Sequence, residues 1–357
     1  MSPARPLLPA ARRVVIKLGT RVITHDDGRL ALARLFEVVE AAAAAARQGR
    51  EVLIVSSGAV GLGRDALGLP TTPTALAERQ ACAAVGQVRL MDLYQAGFGR
   101  LGLTCAQVLL TEGDLDDRLR YLNLRSTLLA LLRHGVVPVL NENDAVSTEE
   151  LAWNEGVARP VFGDNDRLSA LVATKLSADL LVLLTDVDGL HDRDPRSHPD
   201  AAPIDRIGSD GAGLPEALSD ASGTDGGRGG MRSKVDAARI AARSGCQVVI
   251  ASGRRPGALA AVLDGEAVGT WFEAQSGLSA RGRWIAFAAA PRGSLVVDEG
   301  AARALLERGA SLLAVGVSVV RGDFAPGDAV EILAADGRTL GRGLVQVDAA
   351  TARRWAS

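Results

Sequence analysis

From Arg13 to about Ala274 the chain alternates short apolar runs with segments of helical period. The runs at 14–18, 52–56, 136–140, 180–185 and 247–251 are mostly Val, Leu and Ile, and 104–110 is a more mixed apolar run. A strand with one wet face alternates apolar and polar positions, so unbroken runs predict strands covered on both sides. Between them, residues 31–47, 74–97, 118–134, 166–176 and 231–244 carry apolar positions at helical spacing. Strand and helix in alternation predict an α/β fold, a three-layer sandwich around a mostly parallel central sheet. In such sheets ligands gather beyond the carboxyl ends of the strands.

After Ala274 the rhythm changes. Short strand patterns at 283–287, 294–297, 312–320, 329–333 and 341–347 are divided by Gly, Pro and Asp turns, with one helical segment at 300–308. The expected division is a first domain over 1–274, a linker over 275–282 and a small β-rich domain over 283–357. Residues 209–230, dense in Gly, Ser and Asp, read as a mobile loop inside the first domain, because strand and helix patterns resume after them.

Composition narrows the chemistry. A formal net charge of -2 on 357 residues gives no overall field for nucleic acid or an anionic membrane, so any anion site must be local. Cys82, Cys105 and Cys246 lie far apart in apolar runs, and His25, His134, His191 and His198 are scattered, which argues against a disulfide framework or a zinc site. Residues 1–13 lack a continuous apolar core, and the alanine run 41–46 is flanked by charges. The expectation is a cytoplasmic protein without a membrane span.

Among forty basic residues only Lys17, Lys175 and Lys234 are lysine. The ammonium is a compact point charge and the guanidinium a planar fork, so a lysine kept in an arginine-dominated chain is a candidate for chemistry. Lys17 lies in Lys17-Leu18-Gly19, and Lys234 follows the glycines of Gly229-Gly230-Met231, so both read as phosphate-contacting. Lys175 fills a polar slot in an apolar helix and reads as structural. The first segment lacks the spacing of a P-loop. Ser57-Gly58-Ala59 offers a hydroxyl and backbone N–H groups at a helix start, which suits an anion. Asn141-Glu142-Asn143-Asp144 and Gly163-Asp164-Asn165-Asp166 set carboxylates and amides against apolar runs, where a cap needs only one polar group. Such groups recognise an ammonium and order Mg²⁺ or nearby lysines.

In this order, together with Thr185-Asp186, the segments resemble the glutamate 5-kinases of the amino acid kinase family, and the terminal domain resembles a PUA domain. The likeness spans roughly residues 14–355. It implies an ATP-dependent phosphotransferase that makes γ-glutamyl phosphate from L-glutamate, the first step of proline biosynthesis, with Mg²⁺ as cofactor. Lys17, Lys234 and Asp166 are then the catalytic set, Asp166 organising the two lysines and the metal. Ser57, Asp144 and Asn165 hold glutamate. Lys17, Thr185, Asp186, Arg228, Gly229, Gly230, Met231, Arg232, Ser233 and Lys234 line ATP, and no direct protein ligand for Mg²⁺ is assigned. The likeness also implies a homo-oligomer, feedback by proline and coupling to glutamate-5-semialdehyde dehydrogenase. The γ-carboxylate is ionised at neutral pH, so the reaction requires no general base. It requires in-line positioning and neutralised phosphoryl oxygens.

This chain departs from that pattern at Arg228, where the family usually has Thr, and at 151–162, a longer connection beside the glutamate site. Two rival functions remain: a kinase of the same fold acting on another carboxylate or phosphate, such as aspartate, acetylglutamate, carbamate or a nucleotide, and RNA binding through the PUA-like domain. Residues 278–357 carry ten arginines against eight carboxylates and no lysine, a faint footprint for phosphate-backbone binding.

Overall fold

The structure, a computed structural model, describes residues 5–146, 165–195, 197–215, 218, 230–275, 291–308 and 311–355. The chain divides into two compact units, Met1–Gly277 and Leu278–Ser357.

The first unit runs β1 (Arg13–Leu18), α1 (Thr20–Ile23), α2 (Leu32–Arg47), β2 (Glu51–Ser56), α3 (Ala59–Ala66), α4 (Leu76–Arg100), β3 (Cys105–Leu110), α5 (Glu112–Asp116), α6 (Arg118–Arg133) and β4 (Val137–Glu142). It continues with α7 (Asn165–Lys175), β5 (Leu180–Thr185), β6 (Leu190–His191), β7 (Pro203–Ile204), β8 (Arg206–Ile207), α8 (Met231–Arg243), β9 (Gln247–Ser252), α9 (Ala258–Leu263) and β10 (Thr270–Phe272). Eight strands form one sheet in the order β3-β4-β2-β1-β5-β9-β10-β8, and every neighbouring pair is parallel except β9 with β10.

Alternation along β1 sorts the two cores. Val14, Ile16 and Leu18 enter a cluster with Leu35 of α2, Tyr94 and Phe98 of α4 and Val262 of α9. Val15 enters the opposite cluster with Leu128 of α6, Leu171 of α7 and Val235 of α8. Helices therefore cover both faces, and the sheet is the middle of three layers, as the unbroken apolar runs predict. Lys17 shares the parity of Val15, so it rises on the face that carries α7 and α8.

The second unit is a four-stranded sheet in the order β12-β11-β13-β14, built from β11 (Gly293–Val297), β12 (Val317–Gly322), β13 (Ala329–Leu333) and β14 (Thr339–Leu344). Helices α10 (Glu299–Arg308) and α11 (Ala349–Trp355) accompany it, and Leu295, Phe324, Val330, Ala349 and Ala352 form its core.

Two expectations are corrected, and one strand was not expected. The apolar run 312–320 is a 3₁₀ turn at Ala314–Gly316 followed by β12; Leu313 and Val315 are exposed, so apolar character alone misjudged the strand start. Residues 270–272 form a strand too short for any periodicity to announce, antiparallel to β9 and parallel to β8. Strand β4 extends two residues further, over Asn141 and Glu142, because β3 keeps pairing with it there. The predicted strand 283–287, all of the predicted linker but Gln275, and most of the loop 209–230 lie outside the described residues. No helix among the described residues is long and apolar enough to cross a membrane.

Candidate active site

The carboxyl ends of β1, β2, β4 and β5 meet the first turns of α3, α7 and α8. Asp166, the second residue of α7, has no solvent exposure. Lys17 Nζ lies 2.5 Å from its Oδ1 and Lys234 Nζ lies 3.1 Å from its Oδ2. Both lysines are themselves buried, 4% and 6% exposed. Burial alone pushes the Asp166 carboxyl up, but the two ammonium groups outweigh it and hold the acid below its ordinary value. Two cations on one carboxylate leave an excess of positive charge where water is scarce. That is a ready site for an anion that carries several negative oxygens.

Helix α8 adds its N-terminus to this cluster. Gly230 occupies the N-cap with no side-chain cap, and Ser233 Oγ donates to Asp166 Oδ2 at 3.0 Å and to the Gly230 carbonyl at 2.9 Å. Gly230, Met231, Arg232, Ser233 and Lys234 thus begin α8 beside Asp166. At the end of β5, Thr185 is buried and its hydroxyl donates to Asp186 Oδ1 at 3.1 Å, while Arg21 Nη1 holds Asp186 Oδ2 at 3.1 Å. Burial raises Asp186, yet the bonds from Arg21, its own backbone and Thr185 bring it below the usual carboxylate range.

A second group of residues is linked by side-chain amides. Asn165 Nδ2 donates to the Ser56 carbonyl at 3.0 Å, Ser57 Oγ at 2.9 Å and Asn141 Oδ1 at 3.0 Å. Asn165 opens α7 and turns its amide toward β2 and β4. Gly58 follows Ser57 with φ +103°, and a Cβ there would stand 2.4 Å from Ile23 Cδ1, so both conformation and space demand glycine. Gly58 is the N-cap of α3, whose first N–H groups have no side-chain cap. Asp144 lines a pocket of about 250 Å³ together with Ala59, Gln87, Glu142 and Asn143.

The structure thus joins Lys17, Asp166, Ser233 and Lys234 in one cluster and Ser57 and Asn165 in another. Asn165 and Asp166 are adjacent in α7, so the two clusters share a helix start.

The amino acid kinase family model matches residues 12–252, and the PUA domain model matches residues 293–356. The chain belongs to the amino acid kinase family. Relatives named glutamate 5-kinase include those of Synechococcus sp. (strain JA-3-3Ab), 48% identical, and Deinococcus radiodurans, 49% identical; each alignment covers 96% of this chain, and 90% and 92% of the relative. The glutamate 5-kinase of Thioalkalivibrio sulfidiphilus is 47% identical over 99% of this chain and 92% of its own length.

Within this family member, Arg228, Gly229, Asp164 and the connection 151–162 lie outside the described residues. Lys175 ends α7 apart from these two clusters. It is 5% exposed, donates to the Leu115 carbonyl and lies 4.6 Å from the centroid of the Tyr121 ring. Two residues of the amide cluster escaped sequence reasoning as individuals. Asn141 was read only as part of a polar strand end, although its Nδ2 donates to Gln87 Oε1 at 2.9 Å. Gln87 gave one weak signal, a polar side chain at helical spacing with the buried Ala83 and Leu90.

Proposed function

We infer that this chain transfers the γ-phosphoryl group of ATP to the γ-carboxylate of L-glutamate, giving γ-glutamyl phosphate, the first step of proline biosynthesis. The observation that carries the chemistry is Asp166 clamped between Lys17 and Lys234 at the sheet's carboxyl edge. The names of relatives that match nearly the whole chain supply the substrate.

Each group has a role that its surroundings support. Lys17 and Lys234 meet the negative charge of the phosphoryl oxygens, which is spread most widely at the transition state, and Asp166 positions both. Ser57, Asn165 and Asp144 hold glutamate so that its γ-carboxylate faces the lysines. Ionised already, that carboxylate attacks phosphorus without a base. Thr185, Asp186 and the start of α8 line the nucleotide, with Arg228 and Gly229 in the adjoining segment. The described residues contain no cluster of three or more His, Cys, Asp or Glu, and Asp166 is committed to two lysines. An Mg²⁺ ion carried on the phosphates of ATP fits that donor set, and it supplies further neutralisation of phosphoryl charge.

Likeness to the named relatives supports the finer parts of the reading: a cytoplasmic homo-oligomer, inhibited by proline, whose product passes to glutamate-5-semialdehyde dehydrogenase. The test is hydroxamate formation with Mg²⁺ and ATP across glutamate, aspartate, acetylglutamate and carbamate, with ADP release followed for UMP. Product from glutamate alone is expected. Turnover of another acceptor with none on glutamate would sink the reading.

A further inference from the structure

Two backbone groups fix the direction of every amide in the Asn165 cluster, because an N–H or a carbonyl cannot exchange donor for acceptor. The Glu142 N–H donates to Asn141 Oδ1 at 2.9 Å, and the Ser56 carbonyl accepts from Asn165 Nδ2 at 3.0 Å. Asn141 must then present Nδ2 to Gln87, whose Oε1 accepts it at 2.9 Å. Two buried atoms are left without a hydrogen-bond partner among the described residues: Asn165 Oδ1, an acceptor, and Gln87 Nε2, a donor. An unmade hydrogen bond on a buried amide is costly, so a ligand that completes both is favoured.

Gln87 is 7% exposed and lines the pocket of about 250 Å³ with Glu142, Asn143 and Asp144. It has little room to withdraw. Its neighbour Gly86 packs so tightly on α3 that a Cβ there would lie 1.7 Å from the Ala59 carbonyl oxygen, which pins this part of α4. Along the hydrogen bonds, Gln87 reaches Asn165 only through Asn141, and Asn165 precedes Asp166 in the chain. Gln87 therefore stands at the end of the row remote from the lysines.

Resting on the reading of glutamate as substrate, we propose that Gln87 determines specificity by donating from Nε2 to the α-carboxylate, while Asn165 Oδ1 accepts from the α-ammonium. The γ-carboxylate must lie at the lysines to be phosphorylated, so the remote donor meets the other carboxylate. The donor and acceptor together recognise the zwitterionic head of an α-amino acid and reject a chain that lacks either charge.

The experiment compares wild type, Gln87→Met and Gln87→Glu in steady-state hydroxamate assays, with thermal unfolding as a check on folding. Gln87→Met removes both amide contacts. Gln87→Glu keeps an oxygen for Asn141 and replaces only the donor, so it answers the question even where the Met variant does not fold. For each protein the KM for glutamate is set beside the inhibition constant of 4-aminobutyrate, which has the ammonium and the reacting carboxylate but no α-carboxylate. Either variant is expected to raise the KM for glutamate about tenfold to a hundredfold, with kcat and the KM for ATP within a few-fold. The 4-aminobutyrate constant should stay within a few-fold of wild type. Equal weakening of both compounds, or an unchanged KM for glutamate in a folded variant, would overturn the proposal. Wild-type protein inactive on glutamate would instead remove the functional reading beneath it.

Discussion

Replacing Lys175 with Met is expected to stabilise the fold at neutral pH and to leave the rate of γ-glutamyl phosphate formation unchanged. Lys175 ends α7 and is 5% exposed, its ammonium donating to the Leu115 carbonyl and resting 4.6 Å from the Tyr121 centroid. Burial pushes it down from the ordinary 10.5 to about 8, against a weaker upward pull from Asp116. Each pH unit between those values is worth about 1.4 kcal/mol, so the buried charge costs on the order of 3 kcal/mol at pH 7. Met keeps most of the volume and removes that cost, while losing one charged hydrogen bond and a cation–π contact worth together about 2 kcal/mol. A net gain of about 1 kcal/mol remains. The sign with pH follows from the direction of the shift. The folded-state value lies below the unfolded one, so between about 8 and 10.5 the unfolded chain holds more protons. Wild-type stability therefore gains a contribution as pH rises through that window, and the full penalty applies below it. Thermal unfolding of both proteins at pH 7 and pH 9.5, with kcat measured alongside, tests this. The Met variant should be the more stable at pH 7, and its advantage should shrink at pH 9.5. A variant less stable at both values by the same margin would show that the contacts outweigh the burial cost. A hundredfold loss of kcat in folded protein would place Lys175 in the chemistry and refute the separation of the three lysines.

Lys17→Ala and Lys234→Ala should each lower kcat about a hundredfold, roughly 3 kcal/mol for one preorganised cation, with a much smaller rise in the KM for glutamate; steady-state kinetics decide between that and a loss confined to KM. Asn165→Ala and Asp144→Ala should raise the KM for glutamate about tenfold to a hundredfold and leave the KM for ATP within a few-fold; an equal loss for ATP would move them to the nucleotide side. A chain ended at Gly277, where the first compact unit closes, should fold and retain activity, since every site residue named above precedes it. Folded but inactive truncated protein would mean that the second unit completes the site.

The fold was legible where burial is two-sided. Val14–Leu18 is unbroken except at Lys17, and that one polar position is where the strand feeds the site. The meeting of Lys17 and Lys234 at Asp166 was legible too: scarce lysines beside glycines carry information that scattered arginines do not. The amide row was hidden, because no spacing links Gln87, Asn141 and Asn165. They meet only when α4 lies against α3, and that approach depends on Gly63 and Gly86, where a Cβ would stand 1.7 Å from the Cys82 and Ala59 carbonyl oxygens. A glycine in the middle of a helix looks from sequence like a flaw of about 1 kcal/mol. Here it sets the distance at which a glutamine reaches a strand end.

In the proposed reaction, the balance of charge around Asp166 would favour the transition state over bound substrate. One carboxylate beside Lys17 and Lys234 supplies a counter-charge in a buried setting, and its lowered pKa keeps it ionised through the neutral range. A second carboxylate would cancel the excess and leave phosphate nothing to complete. With one, the cluster stays short of a negative partner until phosphoryl oxygens arrive. The cations are already held in place by Asp166, by Ser233 on the same carboxylate and by the β1 register, so little reorganisation is needed as charge spreads across those oxygens. Asp166→Asn tests this directly: it keeps the shape, removes the counter-charge and leaves two buried ammonium groups opposed. Breaking a buried ion pair costs about 3 to 5 kcal/mol, so the variant should lose thermal stability as well as kcat. The two Lys→Ala variants leave Asp166 one lysine each and should lose far less stability for a similar loss of rate. If Asp166→Asn were as stable as wild type, the carboxylate would not be the group that holds the lysines, and the electrostatic account of the site would fail.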